Sequence, residues 1–235
     1  PWDPPKKYVY LYDDPDYDGP DPIAPNYGED SWIGDRELER MRALYAGDVT
    51  MTDKWLGDFL NRMDDLGFLD NTLLIVISDH GVSLAEHGFT GKVAEALWPE
   101  LTDIPFLIRH PEGMGAGETS DFHASIHDIA PTILSRVDLE RPEQMTGQDL
   151  TPLLEGNEPE QERPHFTLGY DDHSWARDDE HILVCRSDGE GARLYDAKTD
   201  PNMDDDIASE NREVVRRMFD EYILADAGGE PLPLY

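Results

Sequence analysis

Apolar positions recur along the chain in patterns that predict its elements. Leu38, Met41, Tyr45, Val49, Thr52, Trp55, Phe59 and Met63 return every three or four residues. That period puts them on one face of a helix from about Arg36 to Leu66, and the face is expected to be core. Asp35 stands at the capping position and Gly67 at the stop. Leu73 to Ile77 is an unbroken apolar run, expected as a strand buried on both faces. Ile104–Arg109 reads as a second strand bordering it. Asp128 is the expected N-cap of another helix, with Pro131 in its first turn. Its buried stripe is expected to be Ile126, Ile129, Ile133, Leu134 and Val137. Farther on, His165–Tyr170, His181–Arg186 and Arg193–Tyr195 have short strand patterns. A last helix is expected from about Ser209 to Leu224, with Val215, Met218, Phe219 and Tyr222 on one face. Residues 1–35, rich in Pro, Asp, Tyr and Gly, predict extended chain and turns instead of helix. No internal repeat is visible.

The fold class expected is α/β: a large α/β part over residues 1–155, then a small antiparallel sheet with one helix over 156–235. The boundary is placed where acids and prolines thicken, from Gly156 to Pro164. Charge changes the picture of partners. The 235 residues carry a formal net charge of −33. Such a surface repels nucleic acid and anionic membranes, so neither is expected as a partner. The acids interrupt helix and strand patterns without replacing them, and the 19 basic residues divide into 14 Arg and 5 Lys. Few lysines among many acids predict a protein adapted to concentrated salt. No apolar run approaches the roughly 20 residues that span a bilayer. The single cysteine, Cys185, excludes an intrachain disulfide, and its apolar strand pattern predicts packing. The chain starts at Pro1 and reads as a piece of a longer protein. Localisation therefore stays open, with the cytoplasm favoured and a high-salt environment expected.

Candidate chemistry concentrates where the first strand ends, at Ser78-Asp79-His80-Gly81. Ligands in α/β sheets bind outside the carboxyl ends of strands. Asp79 and His80 offer a carboxylate and an imidazole side by side, a pair suited to a divalent cation, and Gly81 lets the chain turn. His87-Gly88 follows, then Gly91-Lys92, whose ammonium could meet an anion held by the metal. Asp13-Asp14 is a second acidic pair, but it lies in the proline-rich stretch and not after a strand. Gly113-Met114-Gly115-Ala116-Gly117 lacks phosphate-loop spacing and is read as a plain turn. His123 and His127 are read as surface or supporting histidines. Tyr170, Asp171, Asp172, His173 and Trp175 are read as a loop, at the surface or lining a pocket.

The order SDHG, EHG, GK resembles the sulfatase family of the alkaline phosphatase superfamily. Upstream, Pro1-Trp2-Asp3-Pro4-Pro5-Lys6-Lys7-Tyr8 looks like the family's proline-rich segment. Downstream, Asp128-Ile129-Ala130-Pro131-Thr132-Ile133-Leu134, then Gly147-Gln148-Asp149-Leu150 with Pro152-Leu153-Leu154, and finally Leu194-Tyr195-Asp196 with Asp200-Pro201 look like its later motifs. The resemblance implies part of an alkaline-phosphatase-like sheet flanked by helices. It implies metal ligation by Asp79 and His80, Ca2+ being the expected ion, with Zn2+ or Mn2+ if the chemistry is phosphatase-like. It implies a sulfate-contacting Lys92 and a place for His87 near the leaving group as an acid. The substrate implied is a small-molecule or glycan sulfate ester. The family's C-x-P-x-R or S-x-P-x-R nucleophile motif and N-terminal acidic pair do not occur here. The chain is therefore expected to be a C-terminal portion, inactive alone, whose partner is the N-terminal half of the same protein. Ala85 stands where the family often has Gly. The alternatives are a phosphatase or phosphonate monoester hydrolase of the same superfamily, and a non-catalytic anion-binding module.

Overall fold

A computed structural model describes residues 1–24, 26–159 and 163–231. Residues 160–162 of the expected boundary stretch lie outside the described residues. In chain order come α1 (Lys6–Val9), β1 (Gly28–Glu29), α2 (Asp35–Asp65), β2 (Leu74–Ile77), β3 (Ser83–Leu84), β4 (Phe89–Gly91), α3 (Pro99–Thr102) and β5 (Phe106–Arg109). Then follow α4 (Ile129–Arg136), α5 (Thr151–Leu154), β6 (Phe166–Tyr170), β7 (His173–Arg177), β8 (His181–Arg186), β9 (Arg193–Asp196) and α6 (Arg212–Met218). A π-helical turn, Phe219–Leu224, continues α6. The chain forms two compact units. One comprises Pro1–Asp53, His80–Ile104 and Arg163–Tyr235; the other comprises Lys54–Asp79 and Pro105–Glu162.

The first unit holds a four-stranded antiparallel sheet in the order β6-β7-β8-β9. Alternation along β8 sends Ile182 and Val184 to one face and Leu183 and Cys185 to the other. Ile182 and Val184 pack with Leu97, Trp98, Leu101, Trp175 and Tyr195. Leu183 and Cys185 pack with Leu194, Met218 and Ile223. Cys185 is a core residue as expected, and burial pushes its thiol up to about 12. The last helix also buries the expected face, with Met218 fully enclosed.

Strand β7 is a correction. Of Tyr170, Asp171, Asp172, His173 and Trp175, expected as a loop, Asp171 and Asp172 form a turn, but Tyr170 ends β6, and His173 and Trp175 lie in β7, which pairs with β6 and β8 along its whole length. Trp175 therefore points into the core and does not line a pocket. The polar residues of β7 concealed a strand buried on both faces, where Ser174 and Ala176 are as enclosed as Trp175.

The N-terminal stretch also departs from expectation, with one helical turn at α1. Val9 buries there against Ala43 and Leu44 of α2, which supplies the stabilisation that local propensity lacks. Asp13 ties the following loop down. Its carboxylate accepts from Arg36 Nη2 at 2.7 Å and from Arg40 Nη1 at 3.2 Å. Burial works to raise this carboxyl, but hydrogen bonds from Arg36, the Asp14 N–H and Arg40 hold it below its ordinary 3.8. Both oxygens of Asp13 thus serve an ion-pair cluster that Arg40 extends to Asp21 at 2.6 Å.

The second unit contains β2 and β5, paired antiparallel from Leu74↔Arg109 to Ile77↔Phe106. The neighbour relation is as expected, but β2 is half-buried throughout instead of fully buried. Two apolar stripes are corrected likewise. On α2, Met41, Ala43 and Leu44 are buried while Val49, Trp55 and Phe59 are 51%, 62% and 54% exposed. On α4 and its C-cap, Ile133 and Val137 are exposed, and Pro131 and Thr132 are buried instead. Periodicity marks a face suited to burial; it does not supply the element that covers it.

Asp128 is the polar centre of this unit and is fully buried. It stands at the N-cap position of α4 as expected, but its side chain makes no cap hydrogen bond to that helix. The carboxylate serves the preceding 3-10 turn, Ile126–Asp128, instead: Ser125 caps that turn and Asp128 takes the third position of its capping box, accepting from Ser125 N–H at 2.7 Å. Its other oxygen accepts from Gln148 N–H at 2.7 Å. Thr132 Oγ1 donates to the Asp128 carbonyl at 2.6 Å and accepts from Leu150 N–H at 2.9 Å. The two sequence motifs that open at Asp128 and Gly147 are therefore halves of one hydrogen-bonded device. Gly147 permits it, because a Cβ there would run into the His127 carbonyl.

Candidate active site

The candidate residues lie on the turn after β2 and on the β3–β4 hairpin. β4 is the middle strand of the order β1-β4-β3, with Gly28↔Thr90 on one side and Leu84↔Thr90 on the other. Two Arg42 N–H groups from α2 fasten β3 through the Leu84 carbonyl, at 3.0 and 2.8 Å. The hairpin loop closes with Ala85 N–H donating to Phe89 O at 2.8 Å. Ala85 itself sits at φ 70°, a left-handed conformation that glycine adopts without a Cβ penalty. Ala85 thus holds the backbone shape that a glycine favours.

His87 lies at the tip of this hairpin. Its Nδ1 is 2.8 Å from Glu100 Oε1 and its Nε2 is 2.9 Å from the Asn202 carbonyl oxygen. Asp204 Oδ1 is 3.7 Å from Nε2. Both close partners are acceptors, so the nitrogen that carries the hydrogen donates to the one it faces. The ring also stacks on Trp98, with centroids 4.9 Å apart and planes at 4°. Arg193 lies over Trp98 at 4.7 Å, which completes a cationic and aromatic stack. Glu100 and Asn202 carry no motif in the sequence. They come from α3 and from the loop after β9, and only the fold brings them to His87.

Asp79 and His80 follow β2 after one residue, Ser78. Asp79 ends a segment of the second unit and His80 opens a segment of the first. His80 Nδ1 lies 2.6 Å from the Gly81 carbonyl oxygen. A carbonyl only accepts, so Nδ1 carries the hydrogen in this contact, the arrangement in which a neutral ring turns its other nitrogen, Nε2, to a metal. Gly81 N–H donates to Leu101 O at 2.9 Å. A Cβ at Gly81 would meet the Glu100 carbonyl, so this turn accepts only glycine without moving α3. Among the described residues, no group of three or more His, Cys, Asp or Glu side chains is arranged to hold a metal ion. The donor set that this chain offers is one carboxylate and one imidazole. That fits part of a calcium or zinc shell, which take six to eight and four ligands.

Lys92 follows Gly91, whose φ of 84° and contact with the Tyr27 ring both need the absence of a side chain. Lys92 Nζ lies 4.8 Å from the centre of the Tyr170 ring. His123 and His127 are exposed, as expected. No helix of the described residues is long and apolar enough to cross a membrane.

Comparison with known proteins gives this geometry a context. The Sulfatase family model matches residues 3–139, and the model for the C-terminal region of N-sulphoglucosamine sulphohydrolase matches residues 85–225. An arylsulfatase of Clostridium perfringens is 28% identical over 205 residues, covering 80% of this chain and 41% of the relative. A structure solved in complex with its substrate D-glucosamine-2-N,6-O-disulfate is similar with a TM-score of 0.73 and 25% identity, over 86% of this chain and 44% of that one. The phosphonate monoester hydrolase of Agrobacterium radiobacter is similar with a TM-score of 0.72 and 27% identity, over 85% and 44%. The chain thus spans less than half of each protein it is compared with here.

Proposed function

The chain belongs to the sulfatase family, and from that premise we propose that the whole protein is a sulfuric ester hydrolase of which this chain supplies part of the active site. We assign residues 1–155 to the C-terminal part of its large α/β domain and 156–235 to its small C-terminal subdomain. Asp79 and His80 would be two ligands of a divalent cation, Ca2+ being the ion preferred. A bound cation would draw electron density from the sulfate oxygens and ease attack at sulfur. The observation that supports this reading is the His80–Gly81 hydrogen bond, which puts a hydrogen on Nδ1, so that Nε2 of a neutral ring would be the nitrogen to meet a cation. Lys92 would contact the sulfate and stabilise the charge that shifts during transfer. His87 is proposed to hold the hairpin that delivers Lys92, because Glu100 and Asn202 engage both of its nitrogens; that role replaces a part as acid.

The remaining ligands and the nucleophile are proposed to come from the N-terminal half of the same protein. The exposed apolar residues Val49, Trp55 and Phe59 on α2, Leu107 on β5 and Val137 just after α4 support this, as surfaces that a larger domain would cover. The substrate is proposed to be a sulfate ester of a sugar. The family model that matches residues 85–225 and the sulfated glucosamine bound by a structural relative support that class. The likeness to a phosphonate monoester hydrolase supports a second reading, hydrolysis of phosphonate or phosphate esters.

The test compares full-length protein on a 6-O-sulfated glucosamine, an aryl sulfate and a phenyl phosphonate ester. Turnover of the sulfated sugar is expected to be fastest. It should fall at least 100-fold in Lys92→Ala and need more metal in His80→Ala and Gly81→Ala. The isolated chain should not turn over. Preference for the phosphonate would favour the second reading, and activity of the isolated chain would refute the half-site assignment.

A further inference from the structure

Lys92 is held by an aromatic ring and not by a carboxylate. Among the described residues no acidic side chain lies within ion-pair distance of its ammonium, although the chain carries 52 acidic residues. The Tyr170 ring takes that place, 4.8 Å from Nζ. A carboxylate would neutralise the lysine and compete with an anionic ligand. A ring face attracts the ammonium through its quadrupole and leaves the net charge uncancelled. The contact follows from packing. Phe166, Leu168 and Tyr170 alternate along β6 and share one face, which packs on the core cluster of Trp98 and Trp175. Phe89 and Val93, on either side of Lys92, pack against the same cluster. The strand that carries Tyr170 and the segment that carries Lys92 are thereby fixed to one body, and both residues are half-buried there.

We propose that Tyr170 is a positioning residue for Lys92: its ring seats the ammonium, still charged, where it meets the oxygens of a sulfate ester. The proposal rests on the sulfatase reading for the identity of the anion, but the seat itself does not depend on it. The hydroxyl has no part in the seat, so a phenyl ring should replace it.

Two measurements on the full-length protein separate these levels. Reductive 13C-methylation of lysines gives a resonance for Lys92 that is assigned by its loss in Lys92→Arg. It should be shifted upfield by the ring in wild type and in Tyr170→Phe, and should return to the exposed-lysine position in Tyr170→Leu. A Lys92 resonance at the exposed position in wild type would overturn the seat, whatever the enzyme does. In kinetics on the sulfated sugar, Tyr170→Leu should lower kcat about ten-fold, and Tyr170→Phe should restore it. In a Lys92→Ala background the leucine change should add nothing further, because Tyr170 acts through Lys92. Full additivity there would overturn the positioning role. A shifted Lys92 resonance in a protein that hydrolyses no sulfate ester would keep the seat and refute the sulfatase reading.

Discussion

Replacing Asp128 should be among the most damaging single changes outside the active site. Asp128 is fully buried and accepts two backbone N–H groups at 2.7 Å each, from Ser125 and Gln148. Hydrogen bonds to an ionised acceptor contribute about 1.5–3 kcal/mol each. Asp128→Ala removes both and strands the two donors, for a loss of about 4 kcal/mol. Asp128→Asn keeps one oxygen as acceptor but turns an amide N–H toward the other donor, so about half of that loss is expected. Thr132→Val cuts the second link to Leu150 and should cost about 1–2 kcal/mol by the same reasoning. Since a typical domain has only about 5–15 kcal/mol of stability, the alanine variant should show a clear drop in urea midpoint at unchanged slope. Circular dichroism during urea titration reads this. A loss under about 1 kcal/mol in Asp128→Ala would refute the view that one carboxylate joins the two motifs. A Gly147→Ala variant as stable as wild type would speak against it independently, given the His127 carbonyl in the way.

The remaining predictions are simpler. Asp13 and Asp178 both lie below the ordinary 3.8 when folded, Asp178 because two backbone N–H groups, Arg217 and Tyr222 overcome its burial. The unfolded chain therefore binds more protons as the pH falls, so their stabilisation is complete above about 5 and is lost as pH drops through the folded values. Asp178→Asn should flatten that acid limb of the stability curve, and an unchanged limb would show that Asp178 does not contribute. Ala85→Gly should stabilise the β3–β4 hairpin by about 0.5–1 kcal/mol, since the left-handed cost of alanine exceeds the extra freedom of unfolded glycine; a lower melting temperature would contradict this. With a net charge of −33, self-repulsion should relax as counterions are added, so the melting temperature should rise from dilute buffer to molar salt. A melting temperature independent of salt would remove the case for high-salt adaptation.

Much of this protein is legible in its sequence because local rules write it there. The period of α2, the stop at Gly67, the paired strands β2 and β5 and the buried face of α6 all follow from spacing that is physically local. So does the Asp79-His80 pair at a strand end. The hydrogen on His80 Nδ1 is engaged by the next residue, Gly81.

Tertiary structure decided what spacing could not. Whether an apolar stripe becomes core depends on a covering element, so Trp55 and Val137 stand exposed although their periods match those of buried helices. β7 was concealed because a strand enclosed on both faces by neighbours need not be apolar at every position. His87 meets a carbonyl 115 positions away, and Lys92 finds the Tyr170 ring on another sheet. Those contacts arise because His87 stacks on Trp98, and Tyr170 and the neighbours of Lys92, Phe89 and Val93, pack on the same core. A sequence specifies the residue types available for such contacts, but only the packed core brings them within a few ångströms of each other.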